Sequence, residues 1–153
     1  MGCKDVKNQC NIKKQGKSVG GYAWTYNGWF GYYHYIVFCP PFFTVETIDE
    51  KFSAAESDLA NGVTKYVTNM DWMKNTGQYF LHEMMHLRIA DGGIEPHITD
   101  EDVAPDDRDS TNFAAYTAKY VRMLAKRSLR NGGGATRAST NADSYAILAN
   151  SAW

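Results

Sequence analysis

The run Tyr79-Phe80-Leu81-His82-Glu83-Met84-Met85-His86-Leu87 contains the pattern H-E-x-x-H in a helix-forming context. On a helix, residues four apart lie one above the other, so the rings of His82 and His86 point the same way and can grip one metal ion. Imidazole nitrogen suits zinc, a borderline cation that accepts tetrahedral geometry. A catalytic zinc takes three protein ligands and leaves the fourth position to water. Glu83 follows His82 directly, close enough to take a proton from that water but not placed to be the third ligand, which makes it the candidate general base. The same pattern arises by chance in many helices, so its neighbours decide. Leu81, Met85 and Ile89 form one apolar stripe while Phe80, Met84 and Leu87 cover other sides, which predicts a helix buried nearly all round. Two histidines and a carboxylate inside such a helix are costly without partners, and a bound cation supplies one.

Working outward, Thr76 is the expected N-cap of this helix and Asp91-Gly92-Gly93 its end. Upstream, Thr47 with Glu50 three residues on reads as a capping box for a helix through Phe52, Ala55 and Leu59 to Asn61-Gly62. Residues 63–75 read as a short helix or loop carrying Tyr66, Val67, Met70, Trp72 and Met73 into the core. Nearer the N-terminus, the aromatic, β-prone segments Gly21–Tyr26 and Trp29–Cys39 flank the turn-like Asn27-Gly28 and predict a hairpin. Pro40-Pro41 ends its second strand, because proline cannot donate to the ladder. His34, within that strand, reads as a partly exposed aromatic rather than a ligand, since no metal-binding residue is paired with it. Residues 1–20 read as polar loop.

Downstream, Ile94–Ser110 is acidic and irregular. Such runs are usually solvated loops, yet this is the first place after the helix where the chain can turn back toward the histidines with a third ligand. Ser110 or Thr111 can cap a helix over Asn112–Leu129, with Phe113, Tyr116, Tyr120 and Leu124 on its inner side. Asn141 begins a last helix.

At 153 residues the chain fits a single domain, 1–153, large enough to bury a core. The net charge of -1 comes without a Lys/Arg stripe, so no nucleic-acid partner is expected. There is no apolar run long enough for a bilayer, and no membrane partner is expected either. Three cysteines, Cys3, Cys10 and Cys39, allow at most one internal disulfide and lack metal-ligand spacing to the histidines; a disulfide points to an oxidising compartment.

Several pieces match one family in the same order: Cys3-Lys4-Asp5 followed by Cys10, Tyr22-Ala23-Trp24-Thr25, Ile36-Val37-Phe38-Cys39-Pro40-Pro41-Phe42-Phe43, Leu81-His82-Glu83-Met84-Met85-His86 and Asn141-Ala142-Asp143-Ser144-Tyr145-Ala146. The sequence resembles the aspzincin metallopeptidases, the deuterolysin-like and lysine-specific endopeptidases, particularly their secreted fungal relatives, from Cys3 to the end. The resemblance implies a zincin-like α+β domain, mostly helical with a small N-terminal hairpin, acting outside the cell as a monomeric zinc endopeptidase on peptide or protein substrates. It implies a Cys10–Cys39 disulfide, with Cys3 pairing to a cysteine in a further N-terminal segment that family members carry upstream.

In the family the third ligand is an aspartate from a G-T-x-x-D-x-x-Y-G stretch. Tyr116 takes the place of that tyrosine, but Phe113 stands where the aspartate belongs and Thr117 replaces the glycine. The ligand must then come from further up the acidic loop. Asp100 is the first candidate and His97 the second, a histidine being an equally competent zinc ligand, with Asp91, Asp107 and Asp109 behind them. Asp143 is a candidate to hold the outer nitrogen of a ligand histidine, or to stabilise the first turn of the last helix. The expected mechanism has Glu83 deprotonate the water and pass the proton to the leaving amine, while Tyr116, by the family's pattern, donates to the oxyanion. Resemblance to lysine-specific members also suggests that the acidic loop favours Lys or Arg in a substrate. The rival reading is a secreted zinc-binding, zincophore-like protein that does not hydrolyse peptides. Glu83 argues for the enzyme, because simple zinc binding needs no base between the histidines.

Overall fold

A computed structural model describes residues 4–14, 16–93, 95–104 and 113–152, and its architecture is mixed α+β. Two short segments, β1 (Lys13–Lys14) and β2 (Lys17–Ser18), pair as a small antiparallel ribbon. They lead into the main hairpin, β3 (Gly21–Gly28) and β4 (Gly31–Phe38), paired from Gly21↔Phe38 to Gly28↔Gly31. Successive residues of a strand face opposite sides. One face therefore carries Tyr22, Trp24, Tyr26, Tyr33 and Tyr35, with Trp24 stacked on Tyr35 at 4.8 Å and on Tyr22 at 5.5 Å between ring centroids. The opposite face turns Gly21, Thr25 and Phe38 toward a helix. The turn is not the expected one: Asn27 and Gly28 belong to β3, and Trp29-Phe30 make the connection. Gly31 follows at φ 124°, a conformation that glycine adopts without strain, so the reversal closes there. His34 Nδ1 lies 3.0 Å from the Thr25 hydroxyl.

Cys39 ends β4, fully buried and bonded to Cys10. Closing this loop, whose ends are 29 residues apart in sequence, removes unfolded-state entropy worth about 3–4 kcal/mol. Pro40–Thr44 then form a single 3-10 turn. Cys3 lies outside the described residues.

Helix α1 (Ile48–Ala60) starts where the sequence places it, with both bonds of the Thr47/Glu50 capping box formed. It is a surface helix: Ala55 is buried, whereas Phe52 and Leu59 are exposed. Helix α2 (Thr76–Met85) carries the metal-binding pattern, and its N-cap is Asn75 rather than Thr76. The reason is chemical. Asn75 accepts from the Gln78 amide at 3.0 Å while its own side-chain amide donates to the Met73 carbonyl and to Asn150. A threonine hydroxyl has one proton and cannot make both donations. Asn150 in turn donates to Gln78, so the start of α2 is tied to the last helix.

Nor does α2 reach Asp91. It stops at Met85, with His86 as C-cap, because the His86 carbonyl is taken by His97 Nε2 at 3.1 Å. Residues 87–93 continue as turns, closed by Asp91 accepting from the Gly93 amide at 2.7 Å. The expectation of all-round burial also fails, since Phe80 is 45% and Ile89 71% exposed. The polar groups of this helix are buried on one side only.

Beyond the turns, β5 (Asp102–Val103) pairs antiparallel with β6 (Phe113–Ala114). This pairing delays the next helix, α3 (Ala118–Lys126), which is capped by Thr117 rather than beginning at Asn112. The alternative caps Ser110 and Thr111 lie outside the described residues. Val103, Ala115 and Leu124 form a small buried core with Tyr120, Val121 and Met123 packed on it. Burying Leu124 and Val103 stabilises the fold by about 1.5–3 kcal/mol each. A short α4 (Ala135–Ala138) leads into α5 (Ala142–Ser151), which packs on α2. No helix among the described residues is long and apolar enough to cross a membrane.

Asn141, fully buried, joins these parts. Its side chain accepts from the Glu101 amide at 3.1 Å and donates to the Ala115 carbonyl and the Ser144 hydroxyl, both at 3.2 Å. Asn141→Ala strips partners from buried backbone groups and is expected to destabilise the protein by about 2–4 kcal/mol, read by urea unfolding. A loss below about 0.5 kcal/mol would show that the clamp is dispensable.

Candidate metal centre

Helix α2 lies between the hairpin and α5. Four-residue spacing brings the rings of His82 and His86 to one side, edge to face, with centroids 4.9 Å apart and Nε2 atoms 3.3 Å apart. Asp100 Oδ1 is 3.2 Å from each Nε2. One ligand atom from each of these three residues lies within 4.8 Å of the others, a group that could hold a metal ion.

Each ligand is aimed from behind. The Ile98 carbonyl can only accept, so His86 Nδ1, 3.3 Å away, carries its ring proton there and leaves Nε2 bare. Asp143 Oδ1, 3.1 Å from His82 Nδ1, accepts the proton on that nitrogen and fixes the ring. Asp143 stands in the first turn of α5, so its favourable place at the helix dipole and its bond to the histidine hold together. The second oxygen of Asp100 accepts from the Tyr116 hydroxyl at 2.7 Å, and the Tyr116 ring meets His82 edge-on at 5.6 Å.

Asp100 arrives from the acidic loop through a short parallel bridge. Thr99 donates to the Thr140 carbonyl at 2.8 Å and accepts from the Ala142 amide at 2.9 Å, and Glu101 is held by Asn141 on the other side. Stitched on both flanks to the start of α5, Asp100 is presented to the histidines by backbone bonds rather than by its own side chain.

The other candidates are elsewhere. His97 meets Asp91 through Nδ1 and the His86 carbonyl through Nε2, so both nitrogens brace the end of α2. Asp91 is buried and serves His97 and Gly93. Asp107 and Asp109 lie outside the described residues. Glu83 is buried beside the cluster, against the hairpin: a Cβ on Gly21 would meet its Oε1 at 3.3 Å and its Cγ at 3.4 Å. Gly21 thus leaves room for the carboxylate, a requirement that sequence reading passed over. Thr99 and the side chain of Asn141 were missed too. Asn141 was visible only as a helix start, and its contacts lie 26 and 40 residues away.

The electrostatics follow from this packing. Burial alone would lower the His82 pKa, but hydrogen bonds to Asp100 and Asp143 outweigh it and push the ring up to about 10. Burial would raise Asp100, and the two imidazoles overcome it, holding the carboxyl well below its usual range. Burial and the neighbouring charges of Asp100, Glu83 and Asp143 raise the Tyr116 phenol, which keeps it a donor at neutral pH.

No protein-family model matches this chain, and neither a curated protein nor a solved structure matches it.

Proposed function

We propose that the chain is a secreted, aspzincin-like zinc endopeptidase with His82, His86 and Asp100 as ligands and Glu83 as general base. One observation carries the metal assignment. A tetrahedral zinc with bonds of about 2.0–2.1 Å sets its ligand atoms about 3.3 Å apart, and the three edges here are 3.2, 3.2 and 3.3 Å. Two imidazoles and a carboxylate, each braced by a partner, are a donor set suited to a catalytic zinc with an open position. The Cys10–Cys39 bond is compatible with an extracellular setting.

Zinc at this site would supply acidification of a water and polarisation of the scissile carbonyl. Glu83 takes the proton of that water as it attacks, and returns it to the amine nitrogen as the peptide bond breaks. Asp143 and the Ile98 carbonyl hold the rings of His82 and His86 in the tautomer that exposes Nε2. The Tyr116 hydroxyl donates to Asp100 and so helps to hold that carboxylate toward the histidines; turned toward a substrate, the same hydroxyl is the expected oxyanion donor.

Metal uptake is expected to expel a proton. His82, raised to about 10, is protonated at pH 7.5 and must become neutral to ligate. Below that pKa, each unit of falling pH should weaken zinc binding about tenfold, and calorimetry at pH 7.5 in two buffers should count about one proton released per zinc. A count of zero would overturn the raised pKa, since a neutral His82 ligates without releasing a proton. The function itself is tested by zinc content and casein hydrolysis of the purified protein: one zinc with hydrolysis supports the peptidase, and one zinc without hydrolysis favours a zinc-binding protein.

A further inference from the structure

The metal cluster opens into a cleft of about 500 Å³. Its carboxylates, Glu83, Asp100 and Asp143, all belong to the metal centre. Away from it, the charged side chains on the cleft wall among the described residues are Lys17 and Lys74. Lys17 projects from the β1–β2 ribbon, and Lys74 precedes the cap of α2 with its ammonium 4.5 Å from the centroid of the Tyr79 ring. Neither pairs with a carboxylate among the described residues. In the loop that follows α2, Glu95 pairs with Arg88, and Glu101 with Arg137 and Thr140. Asp106, Asp107 and Asp109 of the acidic loop, which the resemblance links to recognition of Lys or Arg, lie outside the described residues.

We infer that Lys17 and Lys74 make this a cleft for peptides bearing a carboxylate near the scissile bond. The inference rests on the cleft being a substrate cleft, and it names what that substrate carries. Half-buried Lys74, held over the face of Tyr79, keeps its charge in a fixed place, while exposed Lys17 adds a second positive charge to the cleft lining. Both an Asp or Glu side chain and a free peptide C-terminus offer the required group.

The test uses the zinc-loaded full chain and capped hexapeptides identical except for Glu, Gln or Lys at one central position, with binding followed by protein fluorescence and cleavage by mass spectrometry. The Glu peptide should bind about fivefold to tenfold more tightly than its Gln counterpart, and the Lys peptide more weakly than either. K17Q/K74Q, checked for unchanged zinc content and Tm, should abolish the difference, and K74E should invert it. A Gln peptide with a free rather than amidated C-terminus tells the two carboxylate sources apart. Equal binding of Glu and Gln peptides, or a preference that survives K17Q/K74Q because the metal alone attracts the carboxylate, overturns the inference. Charge-dependent binding without cleavage would leave the inference standing and remove the peptidase; cleavage without charge preference would do the reverse.

Discussion

Asp100→Ala is expected to cost the protein its metal while leaving it folded. The carboxylate is the only anionic member of the ligand set; without it, zinc would meet two neutral rings whose Nε2 atoms are 3.3 Å apart. Residues that merely support metal ligands change affinity about 10–100-fold, so loss of the ligand itself should exceed about 100-fold. The fold should survive, because Thr99 and Glu101 hold this stretch through backbone bonds that the substitution does not touch. Tyr116→Phe, which only removes the hydroxyl donating to Asp100, should weaken zinc by about tenfold. Equilibrium dialysis against a zinc buffer reads all of this directly, with His97→Ala as the comparison. His97 braces the end of α2, so its loss should lower stability more than affinity. Zinc retained by D100A and lost by H97A would exchange the two assignments.

Glu83→Gln should have the opposite profile, with full zinc occupancy and hydrolysis reduced about 10²–10⁴-fold, the usual contribution of a positioned general base. Glutamine keeps the shape of a side chain that lies against Gly21, so packing is preserved while the proton acceptor is lost. Zinc content, Tm and casein hydrolysis, measured on one preparation, separate the outcomes. Undiminished hydrolysis would remove Glu83 as the base, and loss of zinc would mean that the carboxylate supports the site rather than the reaction. The pair of variants is informative together: one is expected to bind no metal, and the other to bind metal that it cannot use.

Much of this site is legible because its periodicities are local. His82 and His86 share a side because a helix repeats every 3.6 residues, and Glu83 follows from its adjacency. Thr47 and Glu50 form their box three residues apart, and the hairpin strands sort their side chains by alternation. Such features need no knowledge of distant partners. The errors fall where a distant partner competes. Asn75 displaces Thr76 as the cap because Asn150 waits for its amide, and α2 ends early because His97 takes the carbonyl of His86. Helix α3 starts late because residues 113–114 pair with 102–103 instead.

The sequence by itself therefore determined that His82 and His86 share one side of a helix with Glu83 beside them, and the kinds of element that carry them; the disulfide was expected by resemblance. It ordered the third ligands, with Asp100 before His97, without a physical means of separating them. Tertiary structure brings Asp100, and not His97, to the two histidines. An acidic loop has no repeat that would aim one carboxylate, and Asp100 is brought to the histidines only because Thr99 and Glu101 bond to Thr140, Asn141 and Ala142, some 40 residues further along the chain. A ligand set that closes over such a distance depends on which segments pack together, and that is settled by packing and hydrogen-bond satisfaction throughout the fold rather than by any local pattern of residues.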